Sequence, residues 1–104
     1  MSATATTPIT LVNILSVKPG RQHELIESLR QNTEAVIMRL KGWISTNLVA
    51  SADGQRVVIY SQWENATDVD AMRTDPRMQA YFPKVLELAS FESTVGTVVL
   101  SHRR

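Results

Sequence analysis

The chain has 104 residues, 43% of them hydrophobic, and a formal net charge of +1, which fits one domain with a single core. The basic residues are scattered apart from the cluster His102-Arg103-Arg104, so no basic stripe exists and we expect no nucleic-acid partner. No apolar run reaches the roughly 20 residues that span a bilayer, and cysteine is absent. We therefore expect a cytoplasmic protein with no membrane partner and no disulfides.

The first half of the chain begins with a polar segment and continues into a strand and a helix. Residues 1–8, MSATATTP, lack the features of a signal peptide, and we predict a disordered tail before a single domain over residues 9–104. The run ITLVNILSV (9–17) alternates with period two and predicts a strand. KPG (18–20) breaks that pattern, and the next apolar residues follow helical spacing and predict an amphipathic helix ended by Gly42. They are Leu25, Ile26, Leu29, Val36, Ile37 and Leu40.

Two strand-like runs follow the predicted helix. They are WISTNLVA (43–50) and RVVIYSQW (56–63), and Asp53-Gly54 between them is typical of a hairpin turn. Asn65 or Thr67 then suits the N-cap of a short helix. The sequence therefore continues with a hairpin and a second helical region.

The last third of the chain predicts a second helical stretch and a final strand. Asp75 suits its N-cap and Pro76 its first position. Pro83 lies inside this stretch, where the missing backbone donor should kink or divide the helix. The run FESTVGTVVLS (91–101) predicts the last strand.

The order strand, helix, strand, strand, helix, strand indicates the fold class. It is α+β, with a ferredoxin-like antiparallel sheet (β-α-β-β-α-β) and helices on one face. The other face also carries apolar side chains, and we expect a second copy of the chain to cover them in a homodimer. These residues include Val12, Ile14, Val58 and Tyr60.

An asparagine interrupts the apolar row of the first strand. Ile9, Leu11, Asn13, Leu15 and Val17 share one face, because successive side chains of a strand point to opposite sides. Burial of the amide without partners would cost about 1–3 kcal/mol. Asn13 therefore either has a structural partner or faces a polar group in a cavity.

The third predicted strand carries Ile59, Ser61 and Trp63 on one face, with the small Ser61 leaving space between its neighbours. Trp63 is either a core aromatic or a group whose ring and indole N–H contact a flat aromatic ligand. An apolar and aromatic stripe in the second helical region either packs the core or forms the wall of a pocket for a planar molecule. The stripe consists of Met78, Tyr81, Phe82 and Val85, and Tyr81 adds a hydroxyl.

Motifs for metals and cofactors are missing from the sequence. His23 and Glu27 are four residues apart on the first predicted helix, but no third ligand accompanies them, and His102 lies in the terminal tail. No glycine-rich phosphate loop, dinucleotide fingerprint or serine elbow is present. We expect neither a metal nor a cofactor.

From about Ile9 to Leu100 the sequence resembles the antibiotic biosynthesis monooxygenase (ABM) superfamily of dimeric ferredoxin-like α+β barrels. The resemblance rests on LVNILSVKPG before a helix, LKGW entering the second strand, and DGQRVVIYSQWEN followed by TDP. The chain is most similar to small quinone-forming enzymes that oxygenate anthrone- or naphthol-type compounds without metal or flavin. The resemblance implies a cofactor-independent monooxygenase that acts on a small aromatic substrate with O2, with Asn13 and Trp63 as catalytic residues.

The sequence also departs from this pattern. Several of the quinone-forming enzymes have a second asparagine where this chain has Ile59, and a tyrosine found in some members falls near Val69. The haem ligand of the haem-degrading branch falls near Tyr81, which disfavours haem cleavage. Two other hypotheses stay open: a non-catalytic module that binds small aromatics, and a non-redox isomerase or cyclase using the same pocket.

Overall fold

The computed structural model describes residues 7–104. Most of the predicted disordered tail, residues 1–8, lies outside the described residues. Four strands, three α-helices and one 3₁₀ turn follow each other along the chain. They are β1 (Ile9–Val17), α1 (Gln22–Ala35), the 3₁₀ turn (Ile37–Arg39), β2 (Trp43–Ala50), β3 (Arg56–Trp63), α2 (Ala66–Thr74), α3 (Pro76–Leu88) and β4 (Ala89–Gly96).

The four strands form one antiparallel sheet in the order β2-β3-β1-β4. The predicted ferredoxin-like α+β fold is confirmed, because this strand order follows from two interleaved β-α-β units. Asn13 in the centre of β1 lies opposite Ile59 of β3 and Ser93 of β4. The three residues therefore share one face of the sheet.

The helices pack on that same face and bury two clusters of apolar side chains. The first cluster joins the sheet to α1 and the second half of α3, and consists of Leu15, Leu25, Leu29, Val57, Val85, Leu88 and Ala89. The second cluster joins it to α2 and the start of α3, and consists of Leu11, Trp63, Val69, Met72 and Met78. The strand members of both clusters are odd-numbered, as the period of a strand requires.

The first helix is shorter than predicted. It ends at Ala35 instead of continuing toward Gly42, and the 3₁₀ turn follows. Val36, Ile37 and Leu40 pack against the second cluster instead of extending the stripe of α1. The packing of these side chains on a different cluster draws the chain off the helix axis.

The N-caps of the next two helices agree with the sequence. The Asn65 side chain accepts a hydrogen bond of 2.9 Å from the backbone N–H of Asp68 and caps α2. The Asp75 side chain accepts one of 2.8 Å from the backbone N–H of Arg77 and caps α3, with Pro76 first.

The sequence predicts that Pro83 kinks or divides the second helical stretch. The structure contradicts a division, because α3 continues through Pro83 to Leu88. Proline removes the donor for the carbonyl four residues earlier, which belongs to Gln79. Gln79 and Pro83 are both exposed residues. The helix tolerates Pro83 at this exposed position.

The last strand also differs from its prediction. It starts at Ala89, two residues before the predicted run, and ends at Gly96. Gly96 pairs with Thr10, the second residue of β1, so β1 extends only one residue further in this register. Val99 and Leu100 in this terminal segment are 93% and 72% exposed.

Among residues 7–104, no helix packs on the second face of the sheet. Ile14 is 40% exposed there, and Val49 of β2 is 52% exposed. Val12, Val58 and Tyr60 on the same face are partly buried by their neighbours. An apolar surface is thus open to solvent in a single copy of the chain. Within residues 7–104, no helix has the length and apolar character needed to cross a membrane.

Candidate active site

A cavity of about 430 Å³ lies between the sheet and the helices. Its volume falls within the range of small-molecule sites. The structure brings together in its lining all eight side chains that the sequence suggested: Asn13, Ile59, Ser61, Trp63, Met78, Tyr81, Phe82 and Val85. The rest of the lining is Leu11, Leu15, Leu29, Asn32, Thr33, Ile37, Thr46, Met72, Arg73, Gln79, Phe91 and Ser93.

Asn13 places its amide in the wall of this cavity, from the central position of β1. The side chain is partly buried and makes no hydrogen bond to any residue between 7 and 104. Its neighbours across the strands are the apolar Ile59 and the small Ser93. The amide therefore keeps both its N–H donors and its oxygen acceptor for a molecule in the cavity.

Trp63 is almost completely buried, with 1% of its surface exposed. Its indole N–H donates to the Ser61 hydroxyl across 3.3 Å, and that hydroxyl donates to the Leu11 carbonyl across 3.4 Å. Both distances lie above the usual range for such bonds. The indole N–H thus has a protein partner, while the Trp63 ring lines the cavity.

Tyr81 contributes its ring to the cavity, but its hydroxyl is bonded elsewhere. The hydroxyl shares a hydrogen bond of 2.7 Å with Ser28 of α1. Burial raises the pKa of the Tyr81 phenol, and the bond to Ser28 lowers it by less. At neutral pH this side chain is a neutral link between α1 and α3.

The remaining helix residues form an apolar wall. Met78 and Val85 of α3 are buried and Phe82 is partly buried. Asn32 of α1 donates to the Met78 sulfur across 3.3 Å, which ties the two helices together. This wall and the Trp63 ring give the cavity two apolar sides suited to a flat molecule.

The described residues contain no group of three or more His, Asp or Glu side chains placed to hold a metal ion. His23 is exposed on α1. Glu27 instead pairs with Arg30 at 3.0 Å, and the Arg30 guanidinium lowers the pKa of that carboxyl. His23 and Glu27 therefore lie on the solvent side of α1, where Glu27 pairs with Arg30.

The sequence profile of the family described as antibiotic biosynthesis monooxygenase matches residues 8–84, which include β1 to β3 and most of both helical regions. The chain belongs to this family. Tetracenomycin-F1 monooxygenase of Streptomyces glaucescens is 44% identical to it over 73 residues, which cover 70% of this chain and 65% of that protein. The match thus covers slightly less than two thirds of the length of this curated relative.

Solved structures of two Streptomyces proteins are similar to the whole ABM fold of this chain. SnoaB, a cofactor-independent oxygenase from Streptomyces nogalater, has a TM-score of 0.82 at 19% identity, with 91% of this chain and 96% of SnoaB covered. A monooxygenase from the gene ActVA-Orf6 of Streptomyces coelicolor, in complex with nanaomycin D, has a TM-score of 0.82 at 24% identity. That alignment covers 97% of this chain and 96% of the relative. At these identities the likeness shows the shared fold.

Several lining residues of this ABM-family cavity were not found from the sequence. Phe91 and Ser93 come from β4, whose pairing with β1 is a tertiary property. Arg73 had a local signal, because it follows Val69 by four residues and so lies beside Val69 and Met72 on one side of α2. Helical spacing in α2 was therefore sufficient to include Arg73 among the candidates.

Proposed function

We propose that this protein is a cofactor-independent monooxygenase that oxidises a small phenolic or polycyclic aromatic, of anthrone or naphthol type, to a quinone with O2. The observation that carries the proposal is the Asn13 amide, which lacks a protein partner among the described residues and lies in the wall of a mostly apolar cavity. Membership of the ABM family and the name of the Streptomyces glaucescens relative support a monooxygenase activity.

The proposed chemistry uses the electron-rich anion of the substrate as the reductant of O2. The anion gives one electron to O2, and the resulting substrate radical and superoxide combine through a new C–O bond. The carbon then loses its proton while the O–O bond breaks, which leaves a carbonyl and water. The substrate thus exchanges two hydrogens for one oxygen atom, and the second oxygen atom leaves as water.

In this proposal the protein orients the substrate, excludes water and stabilises negative charge. The Asn13 amide N–H donates to the substrate oxygen or the peroxide, from a position fixed before the reaction. Trp63 acts together with Ser61, because the long bond between them leaves both groups able to redirect toward a ligand oxygen. Met78, Phe82 and Val85 contact the flat apolar part of the substrate.

We also propose that the protein acts as a homodimer in which a second copy covers the open face of the sheet. The exposed side chains of Ile14 and Val49 support this, as does the terminal segment with Val99 and Leu100. A surface of this kind is stabilised when it is removed from water. A two-fold arrangement lets the same apolar patch serve both copies.

The experiment that tests the activity is oxygen uptake by purified protein with a small set of anthrones, naphthols and hydroquinones. Asn13→Ala is the test variant, and Gln31→Ala is its matched control, because Gln31 is an exposed amide on α1 outside the cavity. We expect uptake with quinone formation, reduced about 100-fold in Asn13→Ala and unchanged in Gln31→Ala. Equal uptake in both variants would rule out the role of Asn13.

A second candidate function is a non-catalytic module that binds small aromatics. The observation that favours it is the bond from the Trp63 indole N–H to Ser61, because that N–H, one of the two donors that the enzyme hypothesis uses, already has a protein acceptor. Tight binding of an anthrone or naphthol without oxygen uptake would support this module over the enzyme. Product formation without O2 would instead support a non-redox isomerase or cyclase.

A further inference from the structure

Arg73 is the one formally charged side chain among the described residues that line the cavity. It lies in the last turn of α2 and is partly buried. Its Nη2 donates to the Ser93 hydroxyl of β4 across 2.9 Å. A guanidinium thus borders a lining that is otherwise uncharged, at a defined position across from the sheet.

The positive charge of Arg73 has no carboxylate partner within 4 Å among residues 7–104, whereas Arg21, Arg30 and Arg77 each form an ion pair. Asp70, one turn earlier on α2, is exposed and makes no ion pair with it. Glu92 of β4 neighbours Ser93 in sequence, and its side chain therefore points to the other face of the sheet.

Other titratable groups lie on α2 and α3. Asp68 of α2 is buried, and its Oδ2 has no hydrogen-bond partner among residues 7–104, but it is outside the cavity lining. On α3, Asp75 is paired with Arg77 at 3.0 Å. Tyr81 is the other titratable side chain of the lining, and its hydroxyl is bonded to Ser28. The cavity therefore presents one unneutralised cation and no anion from its own lining.

The contact with Ser93 brings this cation close to Asn13. Ser93 lies directly opposite Asn13 in the pairing of β4 with β1, and side chains paired in this way have Cβ atoms about 4.5–5.5 Å apart. The guanidinium and the unpartnered amide thus lie at the same part of the cavity wall. Two donors, one of them charged, converge there without a protein acceptor for the amide.

We propose that Arg73 binds the ionised oxygen of a phenolic substrate and so selects the phenolate over the neutral phenol. The inference rests on the proposed function in that it identifies how the reactive anion forms. No Asp, Glu or His lines the cavity within the described residues, so the lining supplies no ordinary base. A cation beside the phenolic oxygen makes a base from the protein unnecessary, because it favours the phenolate and the proton leaves to water.

The test uses 7-hydroxycoumarin, a flat two-ring phenol whose anion absorbs light at longer wavelength than its neutral form. Absorbance is titrated against pH for the free compound and for the compound bound to wild type, Arg73→Gln and Arg73→Lys. Coumarin, which lacks the hydroxyl, is the ligand control for an intact cavity. Arg39→Gln is the protein control, because it removes the same charge from a residue that is exposed and lies outside the lining.

On wild type we expect bound 7-hydroxycoumarin to ionise about one pH unit lower than the free compound. Arg73→Gln should abolish this shift, Arg73→Lys should keep part of it, and Arg39→Gln should keep all of it. Coumarin should bind wild type and Arg73→Gln equally. Ionisation at the same pH on wild type and Arg73→Gln would overturn the proposal.

A third ligand, 2-naphthoate, separates a phenolate from a carboxylate. If loss of Arg73 weakened naphthoate binding and left the hydroxycoumarin titration unchanged, the residue would bind carboxylates and the proposal would be wrong. These measurements need no turnover. Lack of oxygen uptake would therefore reject the proposed monooxygenase while the titration still decides the role of Arg73.

Discussion

Apolar side chains are usually buried and polar ones exposed, and the two faces of β1 depart from this rule in opposite ways. The face under the helices has an apolar row, Leu11 and Leu15, with the Asn13 amide between them. The other face has Val12 and Ile14, and none of the helices within residues 7–104 covers it. The helix-covered face therefore has an amide without a partner among residues 7–104 in the wall of a cavity, and the other face exposes apolar surface.

Each departure costs free energy in an isolated chain, so each indicates a missing partner. A polar group in an apolar site is stabilised when a ligand supplies its hydrogen bonds. An apolar surface is stabilised when another surface removes it from water. The two faces thus favour two different partners, a small molecule on the helix side and a second copy on the open side. Predictions that separate the faces test both assignments.

The largest effect is expected for Asn13→Leu. Leucine resembles its neighbours in the row and carries no unpaired polar group, so the folded protein should be at least as stable as wild type. Oxygen uptake should nevertheless fall about 100-fold, because a donor to the developing negative charge is lost. Thermal unfolding and the oxygen electrode measure the two quantities.

The control for this variant is Gln31→Leu on the exposed side of α1, which should leave oxygen uptake unchanged. A clear fall in the melting temperature of Asn13→Leu alone would contradict the assignment. That result would indicate a structural role for the amide. Loss of uptake with retained stability would instead place Asn13 among residues kept for function at some cost to stability.

The sequence was sufficient to predict many of the residues on the helix-covered face of the sheet. Period two in β1 and β3 places Asn13, Ser61 and Trp63 toward one side. Local capping chemistry predicts Asp75 as one N-cap and leaves Asn65 and Thr67 for the other, where the structure has Asn65. These features depend on neighbours along the chain. They are therefore readable before any tertiary contact is known.

Other features depend on which elements meet. The bond of Tyr81 to Ser28 joins residues on two helices, and that of Arg73 to Ser93 joins α2 to β4. The end of β4 at Gly96 is likewise set by where β1 begins, at the pairing with Thr10. No local pattern encodes such contacts. Helical spacing in α2 could place Arg73 beside Val69 and Met72, but its bond to Ser93 is known only from the structure.

On the open face, Ile14→Lys should break the proposed dimer. A lysine at the centre of an apolar interface would have to be desolvated without a partner, and the dissociation constant should rise at least about 100-fold, corresponding to about 2.7 kcal/mol. Sedimentation velocity over a range of concentrations measures it. Gln31→Lys adds the same charge on the helix side and should stay dimeric, whereas a wild-type monomer of 11.6 kDa would reject the dimer.

Two glycines with positive φ differ in the space around them, one beside α2 and one in the turn between β2 and β3. Gly42 has a φ of +84°, and a Cβ added there would collide with the buried Asp68 side chain. Gly54 has a φ of +76° with nothing near its Cβ position. Gly42→Ala should therefore lower the free energy of unfolding by about 2–4 kcal/mol, because it adds backbone strain and displaces Asp68. Gly54→Ala adds only backbone strain and should lower it by about 1 kcal/mol. Urea unfolding measures the stability of the two variants. Equal losses of stability would show that backbone strain alone causes the loss and that the contact with Asp68 adds nothing.

The smallest effect is expected for Tyr81→Phe, because the Tyr81 hydroxyl binds Ser28 instead of the cavity. At neutral pH the loss of this bond should cost about 1 kcal/mol of stability, while oxygen uptake should change less than about twofold. Burial raises the pKa of the phenol above its ordinary value of 10.0, so the unfolded chain loses its proton first as the pH rises. Wild type should therefore lose stability above pH 10 in a way that the phenylalanine variant does not.

Urea unfolding of wild type and Tyr81→Phe at about pH 7 and about pH 11 measures this difference, which should shrink at the higher pH. A tenfold fall in uptake without a loss of stability would mean that the hydroxyl turns into the cavity and contacts the substrate. The distinction matters for the chemistry, because a phenol in the cavity would add a proton donor beside Asn13. With the hydroxyl held by α1, we expect the sheet residues and Arg73 to make polar contacts to the substrate.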